Sequence, residues 1–151
     1  MAEGDGTLFA EFKAGLMRGD HDLATGGDTL KVTLHTSYTP SQAHQDWADV
    51  SATEYGTGVG YTAGGKQLGS QIVSVNATIH RGELDGADVV WTALGPLTPA
   101  TPGHAILWND TPNTPLTDPL IGYWELGTTA TNGGDYTLQW STSPSALILL
   151  T

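Results

Sequence analysis

From Gln71 to its last residue the chain breaks into short apolar stretches, each closed by Gly, Pro, Asn or Asp, and this rhythm restricts the fold more than any other feature. QIVSVNATIH alternates Val73, Val75, Ala77 and Ile79 with Ser74, Asn76, Thr78 and His80, the period-two pattern of a strand with one covered face. ADVVWTAL, GHAILWND, PLIGYWELG, DYTLQW and SALILLT follow, each bounded as strands are. Asn132-Gly133-Gly134, ahead of DYTLQW, is the clearest turn signal. Trp91, Trp108, Trp124 and Trp140 stand one per strand at intervals of 17, 16 and 16 residues, which fits antiparallel strands returning at a regular pitch. Residues 71–151 are therefore expected to be a succession of antiparallel strands, with the last one tied into the sheet or into a neighbouring subunit. With 22 Thr and 20 Gly in 151 residues, the composition favours strands and turns over helices.

Upstream the pattern changes twice. Leu8, Phe9, Phe12 and Leu16 recur at helical spacing, Thr7 is placed to cap, and Gly19 is placed to stop, so residues 7–18 predict one amphipathic helix. Gly15 weakens it by roughly 1 kcal/mol relative to Ala, so the helix needs a surface to pack on. Residues 1–6 (MAEGDG) read as a flexible arm. Over residues 28–36, Leu30, Val32 and Leu34 alternate with Lys31, Thr33 and His35, predicting a first, half-buried strand. Residues 37–70 then form a glycine-rich structured loop, with a short helical turn expected near Gln42–Trp47. Tyr38, Trp47, Val50, Tyr55 and Tyr61 are its anchors, because a free linker rarely carries Trp and Tyr. One domain spanning 1–151 follows: mainly β, an antiparallel β-sandwich or barrel-like arrangement with one short N-terminal α-helix.

Charge and motifs narrow the function. The net charge is −11, and the five basic residues (Lys13, Arg18, Lys31, Lys66, Arg81) all precede Gly82. Such a surface repels phosphate backbones, so neither nucleic acid nor a membrane is an expected partner, and a basic or mixed protein surface is. The N-terminus lacks a basic region followed by an apolar run, and no stretch reaches the ~20 apolar residues of a membrane span; a soluble protein made in a cytoplasm is expected. There is no cysteine, which removes disulfides, thiolate metal sites and a thiol nucleophile.

EYGTGVGYTAGGKQLG contains Gly60-Tyr-Thr-Ala-Gly-Gly65-Lys66, the front of a phosphate-binding loop. A working phosphate cradle needs an apolar strand before it, a helix after it and Ser or Thr after the lysine. Here the preceding residues DVSATEY are polar, Gln67 fills the hydroxyl position, and Leu68-Gly69-Ser70 leads into a strand. Gly58-Val-Gly60 fails as a dinucleotide fingerprint for want of the same helix. His44-Gln-Asp46 with Asp49, and Asp20-His21-Asp22, offer oxygen and nitrogen ligands at spacings that match no zinc or calcium loop, so no metal is expected. Glu83, Asp85 and Asp88 read as solvated charges around a turn rather than a glycosidase pair. No nucleophile elbow is present, so neither a catalytic residue nor a cofactor is assigned. The tryptophans read as core or subunit-interface residues, with a sugar-stacking platform as the alternative.

LFAEFKAGL, DTLKVTLHT, YTPSQAHQDWADV, EYGTGVGYTAGGKQL, LDGADVVWTAL, PLIGYWELG and the ending NGGDYTLQW with ILLT occur in an order that resembles a family of small structural proteins encoded among the virion genes of tailed bacteriophages. The likeness covers nearly the whole chain, and its most specific part is the glycine stretch followed by a strand and DGADVVW. It implies a non-enzymatic virion component. The foremost expectation is a capsid decoration (cement) protein on the outer capsid surface that binds the assembled major capsid protein and itself, as a homotrimer. The alternative is a glycan- or receptor-binding module on a tail or head fibre. Trp47, Tyr55, Tyr61, Lys66 and Leu149 are the candidate partner-interface residues.

Overall fold

The computed structural model describes residues 6–111, 115–140 and 147–150. Their architecture is mainly β, with every strand pairing antiparallel and one short helix near the N-terminus, in a sandwich-like arrangement. Ten strands form three sheets: β1 (Thr7–Leu8), β2 (Leu30–His35), β3 (Lys66–Gln67), β4 (Ile72–Asn76), β5 (Arg81–Asp85), β6 (Val89–Trp91), β7 (His104–Asn109), β8 (Leu120–Glu125), β9 (Tyr136–Leu138) and β10 (Ile148–Leu150). The main sheet runs β1-β8-β7-β2-β3, a second runs β10-β5-β4, and β6 pairs with β9. Their buried side chains merge into one apolar cluster that includes Phe9, Phe12, Leu34, Ile106, Trp91 and Leu138.

The helix starts later than its periodicity suggests. Thr7 and Leu8 pair with Tyr123 and Gly122 as an edge strand, so Thr7 does not cap; Phe9 holds the N-cap position without a side-chain bond. The exposed Ala10 N–H is met instead by Gln42 Oε1 at 2.8 Å, a partner 32 residues away that no local pattern reveals. Helix α1 (Ala10–Arg18) ends as expected at Gly19, whose φ of 81° lets its N–H reach Leu16 O while Asp20 N–H reaches Gly15 O, the Schellman pattern. Gly15 itself makes room: a Cβ there would lie 2.8 Å from His21 Nε2. Residues 1–5 lie outside the described residues. Gly6, expected in the arm, packs so closely on the Trp124 indole that a Cβ would fall 2.3 Å from it.

Strand β2 is not half-buried. It lies between β7 and β3, and Thr33 and His35, expected to face solvent, are fully covered. The reason is the loop that follows, which folds back across that face of β2. Two 3-10 turns (Trp47–Asp49 and Ser51–Thr53) replace the helical turn expected near Gln42–Trp47. QIVSVNATIH also differs: its strand stops at Asn76, Asn76 Oδ1 receives the Thr78 and Ile79 N–H groups to form the turn, and RGELD becomes β5. Glu83 and Asp85 are therefore strand residues, and Glu83 is paired with Arg81 Nε at 2.7 Å rather than solvated at a turn. The last strand is tied into the sheet, with Ile148, Leu149 and Leu150 opposite Leu84, Glu83 and Gly82. No helix among the described residues is long and apolar enough to cross a membrane.

Candidate functional site

The glycine stretch packs on its own sheet. Tyr55 N–H bonds to Leu34 O, and the Tyr55 hydroxyl donates to Pro99 O at 2.7 Å. The Tyr61 hydroxyl accepts from Leu34 N–H at 3.0 Å and donates to Glu54 Oε1 at 2.8 Å, which also receives Gly64 N–H at 2.7 Å. One carboxylate oxygen thus gathers the two ends of the loop. Burial raises the Glu54 carboxyl above its ordinary range against the pull of those two donors, and burial likewise pushes the Tyr61 phenol up.

Glycine is needed here for approach as much as for turning. At Gly65, φ is 71° and a Cβ would lie 2.0 Å from Val32 O; at Gly60, φ is 91° and a Cβ would lie 2.7 Å from Ala93 O. Lys66 then enters β3 opposite Val32, and its ammonium donates to Val90 O at 2.6 Å. The lysine bridges strands where a phosphate cradle would need a helix N-terminus.

These contacts turn two of the five candidate interface residues inward. Tyr55 and Tyr61 are buried, so their rings anchor the loop and present no side chain to a partner. Trp47 is half-buried, with its ring stacked on Trp108 at 4.7 Å. Lys66 is exposed. Leu149 joins β10 through its backbone, and its side chain lies outside the described residues. Trp91, Trp108, Trp124 and Trp140 are all buried in the core.

The polar clusters serve the fold. Asp46 and Asp49 form a reciprocal capping box around the first 3-10 turn, and His44 Nδ1 lies 2.9 Å from the Tyr38 hydroxyl. Asp20 and Glu11 both hold Arg18. Asp22 accepts Ala24 N–H, and Asp28 accepts from Asp22 N–H and Asn109 Nδ2. Among the described residues no three His, Asp or Glu side chains group as a metal site. His35 is the most perturbed base: its ring nitrogens lie 2.9 Å from the Thr33 and Thr53 hydroxyls, and burial drives its pKa down to about 3.

What stands out on the surface is the β4–β5 hairpin. Val73 shares a face with Leu84 and Ile148, both in the core, yet remains 51% exposed. One row further out, Val75 is 80% exposed and its neighbour Gly82 has nothing within 4 Å of a Cβ position. Ile72, on the other face across from Asp85, and Ile79, in the turn, are each more than half exposed. The opposite face is polar, with Asn76 Nδ2 and Arg81 Nε both meeting Glu83 Oε1. The alternation expected for a strand with one covered face is present, but its apolar side overhangs the core uncovered. Sequence reasoning found the pattern and missed the exposure, because period two states which residues share a face and not what lies above it.

Comparisons with protein-family models, with curated proteins and with solved structures gave no match to this chain.

Proposed function

We propose that this chain is a non-enzymatic assembly protein of a tailed-phage virion, a capsid decoration protein that binds the assembled major capsid protein shell. The observation that carries the reading is the uncovered apolar row Val73–Val75 on β4, on a chain whose net charge is −11. A strand patterned for burial and left open in the monomer supports a role that is completed by another protein surface. The resemblance of its ordered phrases to the phage structural family supports that class of partner. A protein of this kind binds the assembled shell and not its parts, and so stabilises the shell by mass action.

The acidic surface supports protein contact over nucleic acid. Arg18, Lys31 and Arg81 are each paired with carboxylates of the same chain, which leaves the excess negative charge to face outward. Glycan binding on a fibre has less support, because four of the five tryptophans that motivate it are buried and the fifth stacks on one of them. Incubating purified protein with undecorated phage shells and pelleting the shells is the test. Saturable co-sedimentation at micromolar protein and a higher shell-disruption temperature are expected; protein left wholly in the supernatant refutes the proposal.

A further inference from the structure

The outer edge of β4 fits one occupant particularly well: a second copy of itself. It is the longest open edge among the described sheets, since the main sheet is bounded by the two-residue strands β1 and β3. Residues 71–79 carry no formal charge, in a chain with 16 acidic side chains. Edge strands of monomeric proteins are usually guarded by lysine, proline or a bulge, and β4 (IVSVN), which pairs regularly with β5 over all five residues, has none of these.

We infer that two copies pair antiparallel through β4 about a two-fold axis at Ser74, joining their three-stranded sheets into one. The strand is self-complementary in this register. Val73 falls opposite Val75 of the second copy and Val75 opposite its Val73, so four valines close over one face, while Ser74 meets Ser74 on the other. On that second face the same register sets Ile72 opposite Asn76 of the other copy, and no charged side chain of either β4 enters the seam. A five-residue edge buries less than the ~800 Å² per partner of a stable dimer, so the contact is weak in dilute solution and gains strength where copies are held side by side. The inference builds on the assembly reading given above, but its test is separate.

Sedimentation velocity of the full chain from about 10 μM to about 1 mM, with amide hydrogen exchange across residues 72–76, reads the pairing directly. The wild type is expected to move toward twice the monomer mass, with slower exchange in β4 as concentration rises. Val75→Lys, at a side chain 80% exposed, should keep the wild-type near-ultraviolet dichroism and weaken association at least tenfold. Val73→Thr serves as a second, milder variant. Wild type that stays monomeric at about 1 mM overturns the inference, as does self-association untouched by Val75→Lys. If the wild type stays monomeric and binds shells while Val75→Lys does not, the edge belongs to the shell: the second-copy inference fails and the assembly reading stands. If the wild type pairs but ignores shells, the reverse holds.

Discussion

Lowering the pH should destabilise this protein through one buried imidazole, and the size of the effect can be worked out. His35 is fully buried at the end of β2, between the Thr33 and Thr53 hydroxyls, with His104 paired opposite it on β7. Its pKa falls from 6.5 to about 3, first through burial and then through His104. A base with a depressed folded pKa binds its proton more readily in the unfolded chain, so stability is complete above 6.5 and is lost as pH falls toward 3. The gap of about 3.5, at about 1.4 kcal/mol per pH unit, amounts to about 5 kcal/mol over the whole window and about 2.7 kcal/mol by pH 4.5. That is a large share of the roughly 5–15 kcal/mol that holds an ordinary domain together. The assay is urea unfolding at pH 8, 6.5, 5.5 and 4.5 for the wild type and for His35→Gln, whose amide can still bond both hydroxyls but does not titrate. The variant should start about 1–3 kcal/mol less stable at pH 8 and then converge on the wild type in acid. Burial also lowers the His21 value and raises the Glu54 and Asp118 carboxyls, groups common to both proteins that cancel in the difference, whereas His104 faces His35 and its coupling to that ring is part of what the difference reads. Parallel stability profiles for the two proteins between pH 6.5 and 4.5 would refute the argument.

Gly65→Ala should cost more than about 3 kcal/mol because its Cβ would strike Val32 O, whereas Gly64→Ala, at φ 91° with open space around it, should cost about 1 kcal/mol; thermal unfolding of the pair separates collision from backbone strain. Tyr61→Phe leaves buried Leu34 N–H without its acceptor and removes one donor from Glu54, an expected loss of about 1–3 kcal/mol that a cycle with Glu54→Gln should show to be non-additive. Lys66→Ala removes one exposed bond to Val90 O and should shift stability by less than about 1 kcal/mol, with at most a modest loss in the shell co-sedimentation assay.

The strands after Gln71 were legible because each is a short run with its own turn residues, and ADVVWTAL, GHAILWND, PLIGYWELG and DYTLQW all contain strands in the structure. RGELD was not legible, since a strand of charged residues and glycine around the single apolar Leu84 has no hydrophobic period and exists by pairing with β4 and β10. The end of α1 was readable from Gly19, a local backbone requirement. Its beginning was not, because Gln42 supplies the missing hydrogen bond from a distant loop. Of the candidate site residues, Tyr55 and Tyr61 were found as anchors for the right reason, aromatic mass in a polar loop, but that property cannot tell an inward anchor from an outward one. The hairpin surface was hidden for a related cause: Val73 and Val75 look the same in sequence whether or not a layer lies above them.

The order in which these sheets can form has its own consequence. Strand β1 at residues 7–8 closes against β8 at residues 122–123, and β2 against residues 104–109, so the main sheet cannot be completed until most of the chain has left the ribosome. The β4–β5 pairing, joined by a four-residue turn, has no such wait. Among the described strand pairs longer than two residues, the first to be complete during synthesis is therefore the one with the open valine edge. Nascent chains emerging side by side on one message would meet through that edge first, at a local concentration far above any reached later in free solution.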